Sequence, residues 1–436
     1  MKLLRLRSGS FALLEGRPVL RSTRAVIAVC SGATAEGGPA RISDFGRRLQ
    51  NSQTQRFFEY AGEPQDQNNM SNPLQNVWQH LQRQLFPVLI EEVGELGEKD
   101  RRFIEVVSLL PLGPLLPRYD WKGIGCPPCE RVWILHAFIA KEVYQFSTRE
   151  ALVDALKARP TLRRLCGWES VDQVPSLSTF SRAFAEFSDD QLPQRIHEAL
   201  VKQHCGPKLV GHISRDATAI KVPERPAPRV KPAAQSPPAN RRKVGRPKKG
   251  QEPPKAPPTR LQLQPGRTLA ENLADLPRAC DSGCKKGSQG QPEYWQGYKL
   301  HLDVIDGDIP ISALLTSAST HDSQVAIPLM QMSAQRVTAL YQLMDAAYCA
   351  EPILAYARCL GQVPIVEPVK RGDWIPLDDA QRRRFGERTA SERVNARLKD
   401  HFGGRTVRVR GAAKVMCHLM FGIVAITALG LWQRLC

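Results

Sequence analysis

The chain has 436 residues, 42% of them hydrophobic, and its 61 Lys and Arg against 43 Asp and Glu leave a formal net charge of +18. That length allows two or three domains with cores of their own, and the hydrophobic fraction is that of an ordinary globular protein. Eleven irregularly spaced cysteines exclude a secreted disulfide scaffold and read as reduced thiols of a cytoplasmic protein.

The positive surplus predicts a polyanionic partner, nucleic acid before a membrane surface, because neutralising phosphates releases condensed counterions. It selects a partner and not an activity. The apolar runs near the N-terminus are short and broken by Arg, so no secretory signal is expected. The apolar run from Leu419 to Trp432 is shorter than a bilayer span and reads as a buried core helix, with no membrane partner.

Residues 1–69 mix Arg, Gly, Ser, Gln and Asn without periodicity, which predicts disorder or a non-native extension. Met70 then precedes Ser71 and Asn72, natural caps for an amphipathic stretch from Leu74 to Leu96. Cys126 and Cys129 form a CxxC and Cys280 and Cys284 a looser pair; a structural zinc and incidental thiols are both open readings. From Cys129 to Cys205 the pattern is helical throughout, with Thr148 capping one helix and Pro175 and Ser176 opening another. Residues 70–206 are therefore expected to form a helical, DNA-binding domain. The helix carrying Ser178, Thr179, Ser181 and Arg182 reads either as a recognition helix or as a packing helix with a capped start.

Residues 209–222 alternate as a strand, with Asp216 at its middle. A carboxylate in sheet interior is expensive unless a partner such as a metal ion offsets it. From residue 223 to 265 the composition shifts to Pro, Ala, Lys and Arg, which predicts a solvated, extended insertion. Within it, RRKVGRPKKG is similar to an AT-hook, a segment whose Arg246 would enter a narrow A·T minor groove; a generic basic linker is the competing reading.

After Thr268 two strand-like runs flank Gly307 and Asp308, a hairpin signal. A helix opened by Asp322 follows, then an apolar strand that delivers Asp345 at its end, a helix, a break at Gly361 and a further strand. Trp295 and Tyr298 either stack on an unpaired base or pack beneath the sheet. His301 and His321 lack ligand spacing and read as structural. Phe385 to Lys399 contains no glycine or proline after Gly386, so one helix is expected, with Arg388, Glu392, Asn395 and Lys399 on one polar stripe.

These elements give an α/β fold with a mixed sheet and flanking helices, preceded by an all-α domain. In a ribonuclease H-like sheet the strands of Asp216 and Asp345 lie side by side and the Glu392 helix packs over them. The three carboxylates then converge, and hard oxygen ligation suits Mg²⁺ or Mn²⁺. Two such ions, roughly 3.5–4 Å apart, activate the attacking oxygen and stabilise the leaving one in phosphodiester chemistry. Asp322 is a rival second aspartate, with an N-cap role as the competing reading.

Across roughly residues 75–435 the sequence also resembles insertion-sequence DDE transposases. Arg388, Glu392 and Lys399 keep the spacing of that family's signature, with Phe385 where a tyrosine is expected. SRDAT around Asp216, GYKLH from Gly297, STHDS from Ser319, DAAY from Asp345, TREAL and the PSLSTFSR segment are similar to the family's other segments. The resemblance implies a ribonuclease H-like catalytic domain over 207–222 and 266–436, with Asp216, Asp345 and Glu392 as catalytic, metal-binding triad and Mg²⁺ as the ion. It implies that Arg388 and Lys399 contact DNA phosphates, that double-stranded element ends and target are the substrates, and that synapsis needs at least a homodimer. Cleavage of element ends, then joining of their 3′-hydroxyls to target DNA, is the implied activity, in a bacterial, nucleoid-associated setting. A plain ribonuclease H-like nuclease and a transposase-derived DNA-binding protein that no longer cuts are the rival functions.

Overall fold

A computed structural model describes residues 96–120, 128–226, 228, 257–286, 290–367 and 376–435. The expected extension at 1–69, nearly all of the stretch 74–96, Cys126 and the AT-hook-like segment with Arg246 lie outside these residues. By contacts the chain divides into two compact units.

The first unit is helical and is built from α1 (Glu98–Leu109), α2 (Arg131–Val143), α3 (Arg149–Ala158), α4 (Pro160–Cys166), α5 (Leu177–Asp189) and most of α6 (Leu192–His204). Thr148 caps α3 as its sequence predicts, its Oγ1 accepting from the Ala151 N–H at 3.0 Å. The run that continues α3 is interrupted at Arg159, because Pro160 forces the preceding residue into extended backbone and then opens α4. Gly167 ends α4 at φ +121°, and any Cβ there would meet the Trp133 ring at 2.3 Å.

Residues 397–406 and 417–436 group with this helical unit, whereas the sequence assigned them to the catalytic domain. The reason is the apolar C-terminal helix. Phe421 stacks on Phe138 of α2 at 5.4 Å, and Thr427 lies 3.2 Å from His197 of α6. That helix runs from Ala412 to Leu435, 24 residues, longer than the apolar run suggests and long and apolar enough to cross a membrane by length and composition; 83% of its most apolar window is buried within the protein.

The second unit is a mixed α/β fold. Its strands are β1 (Leu209–Lys221), β2 (Asp281–Lys286), β3 (Pro292–Ile305), β4 (Ile309–Ser317), β5 (Thr338–Met344) and β6 (Val363–Val366). β3 pairs antiparallel with β1, with β4 and, over its first residues, with β2; β5 lies parallel to β1 and β6 parallel to β5. The order β4-β3-β1-β5-β6 is a ribonuclease H-like mixed sheet. The β3–β4 hairpin turns through Gly307 at φ +77° and Asp308 at φ +60°, residues that tolerate left-handed backbone.

Two short helices precede the hairpin, α7 (Arg260–Leu263) and α8 (Leu269–Asp275). They are followed by α9 (Ser323–Ala334) and α10 (Glu351–Cys359) after β4 and β5. Residues 259–265 therefore do not belong to a solvated insertion. Gln264 is fully buried, its amide donates to the Gln324 carbonyl at 2.6 Å and its own carbonyl accepts from Asn272 at 3.0 Å. At the other end of the insertion, Glu224 accepts from the Tyr298 hydroxyl at 3.1 Å and from the Gly411 N–H at 2.7 Å.

Candidate active site

β1 alternates its side chains between two faces, which sends Ser214 and Asp216 one way and Arg215 the other. The β1–β5 ladder pairs Ser214 with Leu343. Carried two residues further, that register brings Asp216 alongside Asp345, where β5 ends. Asp345 caps the following turn, its Oδ1 accepting from the Ala347 N–H at 2.9 Å. Burial pushes the Asp216 carboxyl up to about 6; the hydrogen bond from the Ala217 N–H opposes it, the neighbouring Asp345 charge adds to it, and the Asn395 amide and the Arg388 charge oppose it more weakly. Asp345 is likewise raised, first by burial and then by Asp322 and Glu367, while Arg388 again opposes.

The polar stripe reaches this pair through a helix that is less uniform than its sequence suggests. α11 (Asp379–Phe385) passes into a 3₁₀ turn, Gly386–Arg388, before α12 (Thr389–His401) begins; the C-terminal helix is then α13 (Ala412–Leu435). The start of α12 is fastened to β1. Ser214 Oγ lies 2.6 Å from the Arg388 carbonyl oxygen and 2.8 Å from Ser391 Oγ. One turn on, Asn395 Nδ2 donates to Asp216 Oδ2 at 2.9 Å.

The Arg388 guanidinium sits over the Phe385 ring at 5.5 Å and donates to Glu392 Oε1 at 2.7 Å. Phe385 thus keeps a role for its ring without a hydroxyl. Glu392 itself lies along its own helix with a half-exposed side chain. Among the described residues no group of three His, Cys, Asp or Glu is placed to hold a metal ion. Asp216 and Asp345 are brought together, and Arg388 acts on both, but Glu392 is held by Arg388 and does not join them.

A hard cation nevertheless suits what is there. Two half-buried carboxylates repel each other, and Asn395 Oδ1 is a buried oxygen with no hydrogen-bond donor beside Asp216. Asn395 and Ser214 are the residues that sequence reasoning missed as parts of the site. Asn395 was recoverable, since it stands one helical turn beyond Glu392 on the same stripe.

Asp322 makes no capping bond to its helix. Its Oδ1 instead accepts from Lys299 Nζ at 3.0 Å, and its charge raises Asp345. The N-cap reading fails because Lys299, on the adjoining strand, is the stronger donor. His301 is structural: burial pushes its imidazole down to about 4, so it is neutral, and Nε2 lies 2.9 Å from Thr316 Oγ1. Trp295 and Tyr298 are buried, with the indole N–H donating to the Tyr298 carbonyl at 3.1 Å; both pack within the sheet.

Two of the remaining expected DNA contacts, Arg182 and Lys399, group with the helical unit. Arg182 is on α5 in the helical unit, exposed, on the face opposite the buried Phe180, Ala183, Phe184 and Phe187. α5 thus packs by one face and presents Ser178 and Arg182 on the other. Lys399 lies seven residues beyond Glu392 on α12, in the part of that helix that groups with the helical unit.

A family model described as a transposase DDE domain matches residues 212–428. A second, described as a transposase domain (DUF772), matches residues 91–186. No curated protein and no solved structure matched the chain. The two matches run in the order helical unit then sheet, the DDE-domain match reaching across Asp216, Asp345 and Glu392, and the chain belongs to the insertion-sequence DDE transposases.

Proposed function

We propose that this transposase cleaves the ends of its own insertion element and joins the exposed 3′-hydroxyls to target DNA. The observation that carries the reading is the pair formed by Asp216, midway along β1, and Asp345, where the parallel β5 ends, with Arg388 acting on both and gripping Glu392. A half-buried, mutually repelling carboxylate pair is costly to the fold, and sites that keep such groups keep them for chemistry.

Asp216, Asp345 and Glu392 are the proposed ligands of a divalent cation, Mg²⁺ or Mn²⁺. Such a cation, when bound, supplies activation of the attacking oxygen and stabilisation of the leaving one. The protein's own residues set the stage. Asn395 orients Asp216 by its amide donor, and the Ala347 N–H orients Asp345. A DNA phosphate competes with Glu392 for the Arg388 guanidinium, because phosphate and carboxylate fit the same planar fork. In this reading the arrival of DNA releases Glu392 toward the aspartates while Arg388 holds the strand end for attack. Lys399, Arg182 and Arg246 serve as further phosphate or groove contacts, and the enzyme works as a dimer or larger assembly on DNA, in the cytoplasm at the nucleoid.

One observation favours a rival. If the Arg388–Glu392 pair persists on DNA, the chain is a DNA-binding protein that does not cut. Incubation of the protein with pre-cut element ends, a target plasmid and Mg²⁺ separates the readings. Joined product that disappears in Asp345→Ala supports the transposase. Cleavage without joining indicates a plain nuclease, and binding with neither reaction indicates the inactive derivative.

A further inference from the structure

We infer that the buried Arg215–Asp303 ion pair is the device that sets the spacing of Asp216 and Asp345, an inference that rests on the reading of those two aspartates given above. Arg215 stands one residue before Asp216 and points to the opposite face of β1. It is 1% exposed and Asp303 is 0% exposed. The two lie directly opposite each other on β1 and β3. Their contact is a two-point fork, Nε to Oδ1 at 2.8 Å and Nη2 to Oδ2 at 2.7 Å.

The third nitrogen reaches the next strand. Arg215 Nη1 lies 3.4 Å from Met344 Sδ, and Met344 stands one residue before Asp345. One rigid, planar group therefore touches β3, β1 and β5 at the level of the aspartates. Asp303 is fixed in turn by Ser333 of α9, whose Oγ is 2.6 Å from its Oδ2 and 2.9 Å from Ser312 Oγ of β4.

This matters because of where the backbone ladder stops. The β1–β5 pairing ends at Ser214 and Leu343, two residues short of the aspartates. Beyond that point no β1–β5 backbone pair holds Asp216 against Asp345, and the guanidinium takes over from below. A buried ion pair is a weak device for stability, since well-packed apolar residues of similar volume often serve as well or better. Its fixed fork geometry is what an apolar pair lacks. Asp216 and Asp345 touch the reacting groups in the proposed reaction; Arg215 and Asp303 act through them and are positioning residues.

The test uses the full chain with Arg215 and Asp303 replaced together by Met and Leu. The thermal midpoint should match or exceed that of the parent, while Mn²⁺ affinity, titrated by electron paramagnetic resonance, should fall at least tenfold. Met344→Leu conserves volume and removes only the sulfur contact; a twofold to fivefold loss of Mn²⁺ affinity is expected, and this variant carries the test if the double one does not fold. Parent-like Mn²⁺ affinity in a folded double variant, or in Met344→Leu when only that variant folds, overturns the inference. Asp216→Asn is the control for the reading beneath it: a parent protein that takes up no Mn²⁺, or takes it up equally without Asp216, refutes the metal assignment. In that case amide exchange decides the positioning alone. Exchange at residues 216–217 and 344–345 at least tenfold faster in whichever variant folds, with the remaining sheet unchanged, upholds it; uniform acceleration or no change overturns it.

Discussion

Replacing Asp216 by Asn should make the protein more stable and inactive at once. The carboxyl is raised from its ordinary 3.8 to about 6 by burial and by Asp345. At 1.36 kcal/mol per tenfold change, that difference is worth roughly 3 kcal/mol. Partial exposure of the group and its sharing of one repulsion with Asp345 reduce the working figure to about 1–2 kcal/mol.

The sign follows from which state holds the proton longer. The folded form keeps it to higher pH than the unfolded form, so the favourable state is fully present below 3.8 and is lost as pH rises to about 6. Asn mimics the protonated group and keeps the bond from Asn395. In the absence of divalent cations, Asp216→Asn should therefore raise the melting midpoint at pH 7.5 by about 2–6 °C. The gain should shrink to roughly a third by pH 4.5. Calorimetry at the two pH values, with DNA cleavage measured in parallel, checks this. A variant that is destabilised at pH 7.5, or one whose gain does not depend on pH, refutes the account of the pair.

Further outcomes concern the stripe and the insertion. Arg388→Gln removes one phosphate-pairing cation and should weaken binding of an element end severalfold, with the dependence of log affinity on log salt falling by about one; fluorescence anisotropy across a salt series measures both. Phe385→Ala takes the ring from beneath the guanidinium and should cost about 0.5–1 kcal/mol of end binding, whereas Phe385→Tyr should bind as the parent does. Deletion of residues 229–256 spares the folded flanks and should flatten the salt dependence of DNA binding; an unaltered slope contradicts an electrostatic role for the insertion.

Much of the catalytic unit was legible because its signals are local. β1 alternates between a glycine and a proline, β5 is an apolar run, the β3–β4 turn is announced by Gly307 and Asp308, and Asp345 falls where an apolar strand stops. β2 was not legible. Its sequence, DSGCKK, has no apolar alternation, and it is a strand only because it pairs with the first residues of β3. The tightening at Gly386–Arg388 escaped for a related reason: Ser214 on a distant strand fixes the Arg388 carbonyl.

The site itself divides in the same way. The carriers of the three carboxylates, and the neighbouring strands of Asp216 and Asp345, could be read from pattern and from the family's spacing, but the separation of Glu392 from that pair could not. Arg388 and Glu392 stand four apart on a helix, where a local ion pair competes with any distant partner. The Arg215–Asp303 pair joins residues 88 apart in sequence, and nothing in either neighbourhood announces it. Likewise, the burial of Gln264 depends on α9, so a composition rich in Pro and Lys concealed a folded end to the insertion.

The central claim is that Asp216, Asp345 and Glu392 act together on one cation when an element end is bound. Replacing Mg²⁺ by Fe²⁺ and generating radicals with ascorbate and peroxide maps the cation by the peptide bonds it breaks. With a pre-cut DNA end present, scission should cluster near residues 216, 345 and 392, and Glu392→Gln should weaken all three sets of fragments. Fragments clustered elsewhere, or a pattern and metal dependence that Glu392→Gln leaves unchanged, would contradict it.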